Sequence, residues 1–432
     1  MLRNPFSDVG PFMADPLDFI LSRGTSSKQP LERLRLGLAP VYLLVDPAFA
    51  REVLTAPEDR FAKGRHVERL KSVVGEGVLT ATGDLAKKRR QLAHEGLRAE
   101  ILADRCEALQ AVVAAAACRM AAEQGPVPIG PAMAALALRM ISVILFGEET
   151  LTDEDEDRLI AAVSLIENDV AAGFWRAFTP PWVSHKEKVR LRHALAELQA
   201  VTAKVQHRSK PGSIVSILVE AGLSDQEIRD ELLTLLLTGH ETTGSVAAWM
   251  LHEMARRPLI CRAIAAEVGA AADSSGTVPY EAWRGMEVTK RAVNETLRLY
   301  PGAWWFSREA TTETELAGVK LRRGATILVA PYLFHRDSRW WDDDHNLSEW
   351  FADRAPPSVK HAFLPFGYGP RACVGIAVSF LELQIIAATF ASAFSMEATG
   401  SDRPKPIASV TLQPDPNLAL RLMPFDRLTA VA

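Results

Sequence analysis

The chain contains four cysteines, Cys106, Cys118, Cys261 and Cys373, and the last differs from the others in its setting. The run FGYGPRACVG, Phe366 to Gly375, surrounds Cys373 with Gly367, Gly369 and Gly375 and places Arg371 two residues before it. Glycines remove side chains, so backbone can lie close to a flat ligand or a sulfur. A helical pattern begins just after Cys373. A helix N-terminus, with an arginine nearby, favours thiolate over thiol. A thiolate held this way is a nucleophile or a metal ligand. The other three cysteines are widely spaced, form no CxxC pair, and read as inert buried thiols.

Two further runs carry polar groups at helical spacing. In LLTLLLTGHETTGSVAAWML, Leu232 to Leu251, the helix is apolar on most sides and should be buried. Yet Thr234, Thr238, Glu241 and Thr242 share one face, and buried polar groups need partners. On its own this reads as a core helix relaxed by Gly239, its threonines bonded to carbonyls one turn back. In NETLRLYP, Glu295 and Arg298 are three apart and so are neighbours on one helix face. Exposed to solvent, such a pair would contribute little.

Phe366, Gly369, Arg371, Cys373 and Gly375 together match the haem-binding signature of the cytochromes P450, and the chain resembles that family over essentially its full length. The distal-helix motif GHETT, the Glu-x-x-Arg motif, a strand region, the segment WFADR and the cysteine loop occur in family order. The resemblance implies haem b bound through Cys373 as axial thiolate, with Phe366, Gly367 and Gly375 in the binding loop. It implies that Glu241 and Thr242 carry protons to iron-bound oxygen. Glu295 and Arg298 would be structural, with Arg354 as third partner, although Trp350 and Ala352 depart from the family's usual Phe and Pro. Arg90, Arg308 and Arg371 match positions that hold the haem propionates. Ala86 stands where the family often has Trp or His. Leu235, Thr238, Gly239, Ala303, Trp304, Phe306 and Val410 fall on segments bordering the substrate pocket. Thr238 replaces a usual Ala or Gly. The loop around His66–Gly77 would cap the pocket and Asn168–Phe178 would form its roof. Trp304 and Trp305 imply either a shaped apolar pocket or core packing.

The elements that must position these groups follow from pattern. Leu34–Pro47 reads as two short strands with a turn near Gly37–Pro40, and Asp84 to about Phe146 is almost all helical. Leu151–Lys210 is helical with a break at Thr179–Trp182, where two prolines interrupt it. Ser224–Arg257 is one long helix ended by Pro258. Thr314–Asp337 is strand-like, Val374–Phe394 is helical, and the tail folds as a hairpin around Pro414–Asn417. The apolar run Val127–Gly147 reads as a buried core helix, opened by Pro131 and interrupted by Arg139. The fold class is mainly α with small β-sheets (α+β), in a single domain over residues 1–432 with a β-rich region built from both chain ends.

The 432 residues are 48% hydrophobic and 24% charged, an ordinary soluble composition able to bury a bulky cofactor. A net charge of −4 argues against a nucleic-acid partner. The broken N-terminus lacks an apolar run, so no membrane is expected and the location is cytoplasmic. The expected function is monooxygenation of a hydrophobic small molecule, in keeping with secondary metabolism, using O2. The resemblance implies electrons from a ferredoxin and ferredoxin reductase or similar donors, with an acidic ferredoxin docking near Lys87–Arg90. Desaturation, oxidative coupling or peroxygenase chemistry on the same iron, and a haem sensor or carrier, are the alternatives.

Overall fold

The computed structural model describes residues 4–425 apart from 65–66, 68–69, 72–73, 148–151, 153, 156–157, 164, 167–192, 199, 202, 205–211, 343–344 and 402–403. The expected roof at Asn168–Phe178 and the helix break at Thr179–Trp182 lie outside the described residues, as does part of the cap around His66–Gly77. In chain order the strands are β1 (Leu31–Leu34), β2 (Val41–Leu44), β3 (Phe61–Lys63), β4 (Val127–Pro128), β5 (Phe306–Ala310), β6 (Thr314–Leu316), β7 (Val319–Leu321), β8 (Thr326–Val329), β9 (Phe394–Thr399), β10 (Ile407–Ala408), β11 (Leu412–Gln413) and β12 (Ala419–Pro424). The chain sorts into two compact units, each made from two separate stretches: Met1–Glu68 with Asn294–Cys373, and Arg69–Val293 with Val374–Ala432.

The first unit is organised by a five-stranded sheet in the order β1-β2-β8-β5-β3. The β2–β8 pair is parallel and the others antiparallel, so strands from early and late sequence share one sheet. Leu43, Leu44, Ile327 and Val329 are fully buried on it. The two strands expected in Leu34–Pro47 are the end of β1 and β2. The strand-like run from Thr314 stops sooner than its pattern suggests. After β8, Pro331 opens a single helical turn, Pro331–Phe334, because its fixed φ suits a first helical position.

The second unit is built around the long helix Asp225–Ala255. A capping box starts it: the Ser224 hydroxyl accepts from the Glu227 N–H at 3.4 Å and the Glu227 carboxylate accepts from the Ser224 N–H at 2.9 Å. Pro258 begins the next helix and so closes this one, as the sequence predicts. Helix Ile129–Phe146 packs along it at very short range. A Cβ on Gly244 would stand 2.7 Å from the Ala134 Cα and 3.0 Å from the Met133 carbonyl oxygen. Backbone cannot swing aside as a side chain can. Gly244→Ala should therefore push the two helices apart and cost about 2 kcal/mol, read as a lower urea midpoint with an unchanged slope. Ile129–Phe146 and Ile376–Ala393 are long and apolar enough for a membrane span, but 67% and 61% of them are buried in the protein, as core helices are.

The tail differs from its expected form. Pro414–Asn417 does make a turn, but its two flanks do not pair with each other. The hairpin is β10–β11, turning at Ser409–Thr411. β12 instead pairs with β9 and β4. Prolines mark where the chain turns; they do not specify which strand it turns towards.

Candidate active site

In the first unit the cysteine loop closes on itself. The Cys373 N–H donates to the Phe366 carbonyl at 2.9 Å, and the Gly367 N–H to the Leu364 carbonyl at 3.1 Å. Gly367 and Gly369 have φ of 70° and 76°, the left-handed region that glycine enters at no steric cost. Gly369 also has no room for a side chain, since its Cβ would lie 2.9 Å from Thr55 Cγ2 and 3.0 Å from the Leu54 carbonyl. Cys373 is exposed, and Gly375 is the N-cap of helix Ile376–Ala393. The thiol therefore stands two residues ahead of a helix N-terminus, on a loop whose shape is set by glycine.

Glu295, Arg298 and Arg354 meet in the same unit. Arg298 donates from Nε to Glu295 Oε2 and from Nη2 to Oε1, both at 2.8 Å. Its Nη1 donates to the His335 and Leu347 carbonyls at 2.8 Å, and Nη2 also reaches the Glu349 carbonyl at 3.1 Å. All five guanidinium hydrogens are thereby used. Arg354 Nε and the Phe351 N–H add donors to Glu295 Oε1, each at 2.9 Å. The three side chains are at most 4% exposed, so this is not a solvated surface pair.

Sequence reasoning missed His335. Its Nε2 accepts from the Leu364 N–H at 2.9 Å, so its proton must sit on Nδ1, which donates to the Arg298 carbonyl at 3.0 Å. One imidazole thus ties the Glu-x-x-Arg helix to the start of the cysteine loop. Burial pushes its pKa down to about 3, which keeps it neutral at physiological pH. The only sequence signal was a histidine in an otherwise strand-like run.

Arg308, on β5, and Arg371 also face one another in this unit. Burial lowers the Arg308 pKa to about 10; Arg371 adds repulsion and Glu58 opposes it. The Arg308 guanidinium makes one hydrogen bond among the described residues, from Nη1 to the adjacent Ser307 carbonyl at 3.0 Å. Arg371 pairs with Glu58, while its Nη1 is buried without a hydrogen-bond partner. A buried guanidinium, Arg308, and a half-buried one, Arg371, thus lie near one carboxylate, which pairs with Arg371. Phe306 is half-buried and lies 4.0 Å from where a Gly367 Cβ would be. Ala303 is half-buried. Trp304 is fully buried, and the half-buried ring beside it is Trp305, 5.5 Å away.

In the second unit, every residue of the long helix from Glu231 to Met254 is buried except Thr238, Gly239, Glu241 and Thr242. Leu235, also expected at the pocket, belongs to the buried set. The threonines form a ladder: Thr234, Thr238 and Thr242 donate to the carbonyls of Asp230, Thr234 and Thr238 at 2.7, 2.7 and 2.9 Å. Each hydroxyl proton is thereby committed, and the lone pairs remain to accept. A Cβ on Gly239 would come within 2.9 Å of Ile141 Cγ1, so this glycine serves helix packing. Val410 is half-buried at the β10–β11 turn. On helix Gly83–Gly96, Arg90 is half-buried and Lys87 and Lys88 are exposed. The neighbouring Arg89 is the buried one, paired with Glu227 at 2.7 Å.

A comparison with protein-family models matches residues 21–421 to cytochrome P450. The chain belongs to the cytochrome P450 family. The P450 is 29% identical to cyclooctatin synthase of Streptomyces melanosporofaciens, over 95% of this chain and 92% of that protein. It is 27% identical to pentalenene oxygenase of Streptomyces avermitilis over 95% and 93%, and 26% identical to cytokinin hydroxylase of Arabidopsis thaliana over 90% and 80%. Membership makes it a haem-thiolate oxidoreductase of the monooxygenase type, with O2 and redox partners. The residues of this P450 fit the group. An exposed thiol lies ahead of a helix N-terminus, next to backbone that carries no side chain at Gly367 and Gly369. Arg308 and the unsatisfied Nη1 of Arg371 suit an anionic ligand with two carboxylates.

Proposed function

We propose that this P450 binds haem b through Cys373 and inserts one oxygen atom into an apolar cyclic hydrocarbon of the terpene class. The reading is carried by the half-open stripe Thr238, Gly239, Glu241 and Thr242 on a helix that is otherwise buried. Polar side chains are left uncovered in a core helix where something other than protein occupies the space beside them. When bound, haem supplies oxygen activation, and thiolate donation favours cleavage of the O–O bond.

The chain's own residues do the rest. Gly367, Gly369 and Gly375 let the loop lie against a flat macrocycle, and Phe366 flanks it. Arg308 and Arg371, with Arg90 from the helix Gly83–Gly96, receive the propionates. Glu241 holds and releases a proton, and the Thr242 hydroxyl, its own hydrogen given to Thr238, accepts from the water that carries it. Ala303, Phe306, Val410 and Thr238 shape the substrate's space, with Leu235 and Trp304 behind it. The names of the two Streptomyces relatives support a terpene skeleton. Lys87 and Lys88 present an exposed basic edge for an acidic ferredoxin, itself served by a ferredoxin reductase. The whole chain acts as one soluble, cytoplasmic P450 domain.

Thr242→Ala tests the relay. With surrogate ferredoxin proteins and a polycyclic terpene hydrocarbon as probe, the variant should consume NADH but return most electrons as hydrogen peroxide, while its binding of the probe stays within about threefold, since no probe contact is lost. Equal peroxide yield in both proteins would overturn the assignment of Thr242.

A further inference from the structure

The acid on the long helix is held by a strand far away in sequence. Glu241 Oε1 accepts from Thr411 Oγ1 at 2.7 Å and from Gln413 Nε2 at 2.6 Å. Gln413 Nε2 also donates to Thr411 Oγ1 at 2.8 Å. Thr411 closes the β10–β11 turn and Gln413 lies on β11, and both side chains reach the same Glu241 oxygen. Leu412 between them points away and is 1% exposed.

The segment is fastened to the helix that carries the acid. Ser245, one turn beyond Glu241, donates its hydroxyl to the Leu412 carbonyl. The β10–β11 register, Ile407 with Gln413 and Ala408 with Leu412, and the bond from the Ser409 N–H to the Thr411 carbonyl at 2.9 Å, make the hairpin stiff where it touches. The donor directions are fixed by inventory. Thr411 has one hydroxyl hydrogen, which goes to Glu241, and its oxygen takes one amide hydrogen of Gln413; the other amide hydrogen goes to Glu241.

We propose that Thr411 and Gln413 are positioning residues for proton delivery by Glu241, an inference that rests on the monooxygenase reading above. Both donors converge on Oε1, so a proton held by the neutral acid sits on Oε2. The clamp therefore decides which oxygen delivers the proton and keeps the carboxyl from rotating. It does so with neutral donors. A lysine or arginine in their place would fix the acid equally well but would favour its charged form and hold back the proton. Relays depend on placement, and a displacement of about 1 Å is enough to cost of the order of a hundredfold.

The test uses the haem-loaded enzyme with surrogate redox proteins, dioxygen as the only acceptor and no organic substrate. The readouts are the peroxide recovered per dioxygen consumed and the solvent deuterium effect on NADH use. Reduction of dioxygen to water takes four electrons and four protons, whereas peroxide takes two of each, so poor proton delivery raises the peroxide share. Thr411→Val and Gln413→Leu should lower the water-forming rate by about tenfold and enlarge the solvent deuterium effect. Thr411→Ser, which keeps the hydroxyl, should restore both. Hydrogen exchange supplies a second readout: residues 407–413 should lose protection in Thr411→Val and in Glu241→Leu alike, and keep it in Thr411→Ser.

Wild-type peroxide share, solvent effect and exchange in both Thr411→Val and Gln413→Leu, with Glu241→Gln altered, would overturn the clamp and leave the monooxygenase reading standing. If Glu241→Gln also matches wild type, the relay role of Glu241 falls, and the clamp with it. Should Thr411→Val fail to fold, Gln413→Leu against Thr411→Ser decides by the same measurements.

Discussion

Cys373→Ser should remove the red-shifted carbon monoxide band of the reduced haem protein completely and leave the fold as it is. The band would depend on a thiolate ligand from the protein, and Cys373 is the one cysteine exposed on a glycine-shaped loop ahead of a helix. Of the others, Cys118 is exposed, against its expected burial, but lies inside helix Ala99–Ala121 and not ahead of a helix start; Cys106 is buried and its pKa is pushed up by that burial, and Cys261 is pushed up to about 11 by the same cause. Neither Cys106 nor Cys261 ionises near neutral pH. The loop does not need the sulfur for its shape. Its closing bond is made by the backbone N–H of residue 373 to the Phe366 carbonyl, and serine keeps that N–H. Far-ultraviolet circular dichroism and the urea midpoint should therefore be unchanged within about 0.5 kcal/mol, as for exposed substitutions generally. A variant that kept the band would sink the assignment of the axial ligand.

What the sequence shows of this site, and what it hides, divides by the range of the interaction. The cysteine loop is legible because its glycines, its arginine and its helix start are all local. The capping box at Ser224 and Glu227 and the stop at Pro258 are local too. Glu295 with Arg298 is legible as a pair, but nothing local says that the pair is buried. Its burial depends on carbonyls at positions 335, 347 and 349 coming to Arg298. His335 is invisible for the same reason, since both its partners are backbone atoms distant in sequence. Arg89 and Arg90 are adjacent, and about 100° of helix rotation puts only one of them into the core; a stretch with few apolar residues gives no sign of which. Trp304 and Trp305 present the same difficulty in an extended segment, where neighbours point to opposite faces. The clamp on Glu241 joins residues 170 and more positions apart, and no periodicity could have announced it.

Arg298→Lys should leave little folded protein at 37 °C, although it conserves the charge. Lysine offers three donors on a single nitrogen, while Arg298 uses five hydrogens from three nitrogens spread over a plane. The ammonium cannot reach both oxygens of Glu295 and the carbonyls of residues 335, 347 and 349 at once, so buried acceptors go unpaired. Glu295 keeps Arg354, which limits the loss of charge balance but restores none of the three carbonyl bonds to Arg298. Breaking a buried ion pair costs about 3–5 kcal/mol, a large part of the roughly 5–15 kcal/mol that holds a domain together. Because these carbonyls lead into the segment that His335 fastens to Leu364, loosening them also frees the approach to Cys373. The expected result is a fall of the urea midpoint in the haem-free protein, with haem uptake lost in proportion to the unfolded fraction. A midpoint within experimental scatter of wild type would show that the five bonds are dispensable. Glu295→Asp separates geometry from charge. It retains the carboxylate but shortens its reach by one methylene, so it should fall between wild type and Arg298→Lys if bidentate contact is what holds the segment 335–354 to the helix.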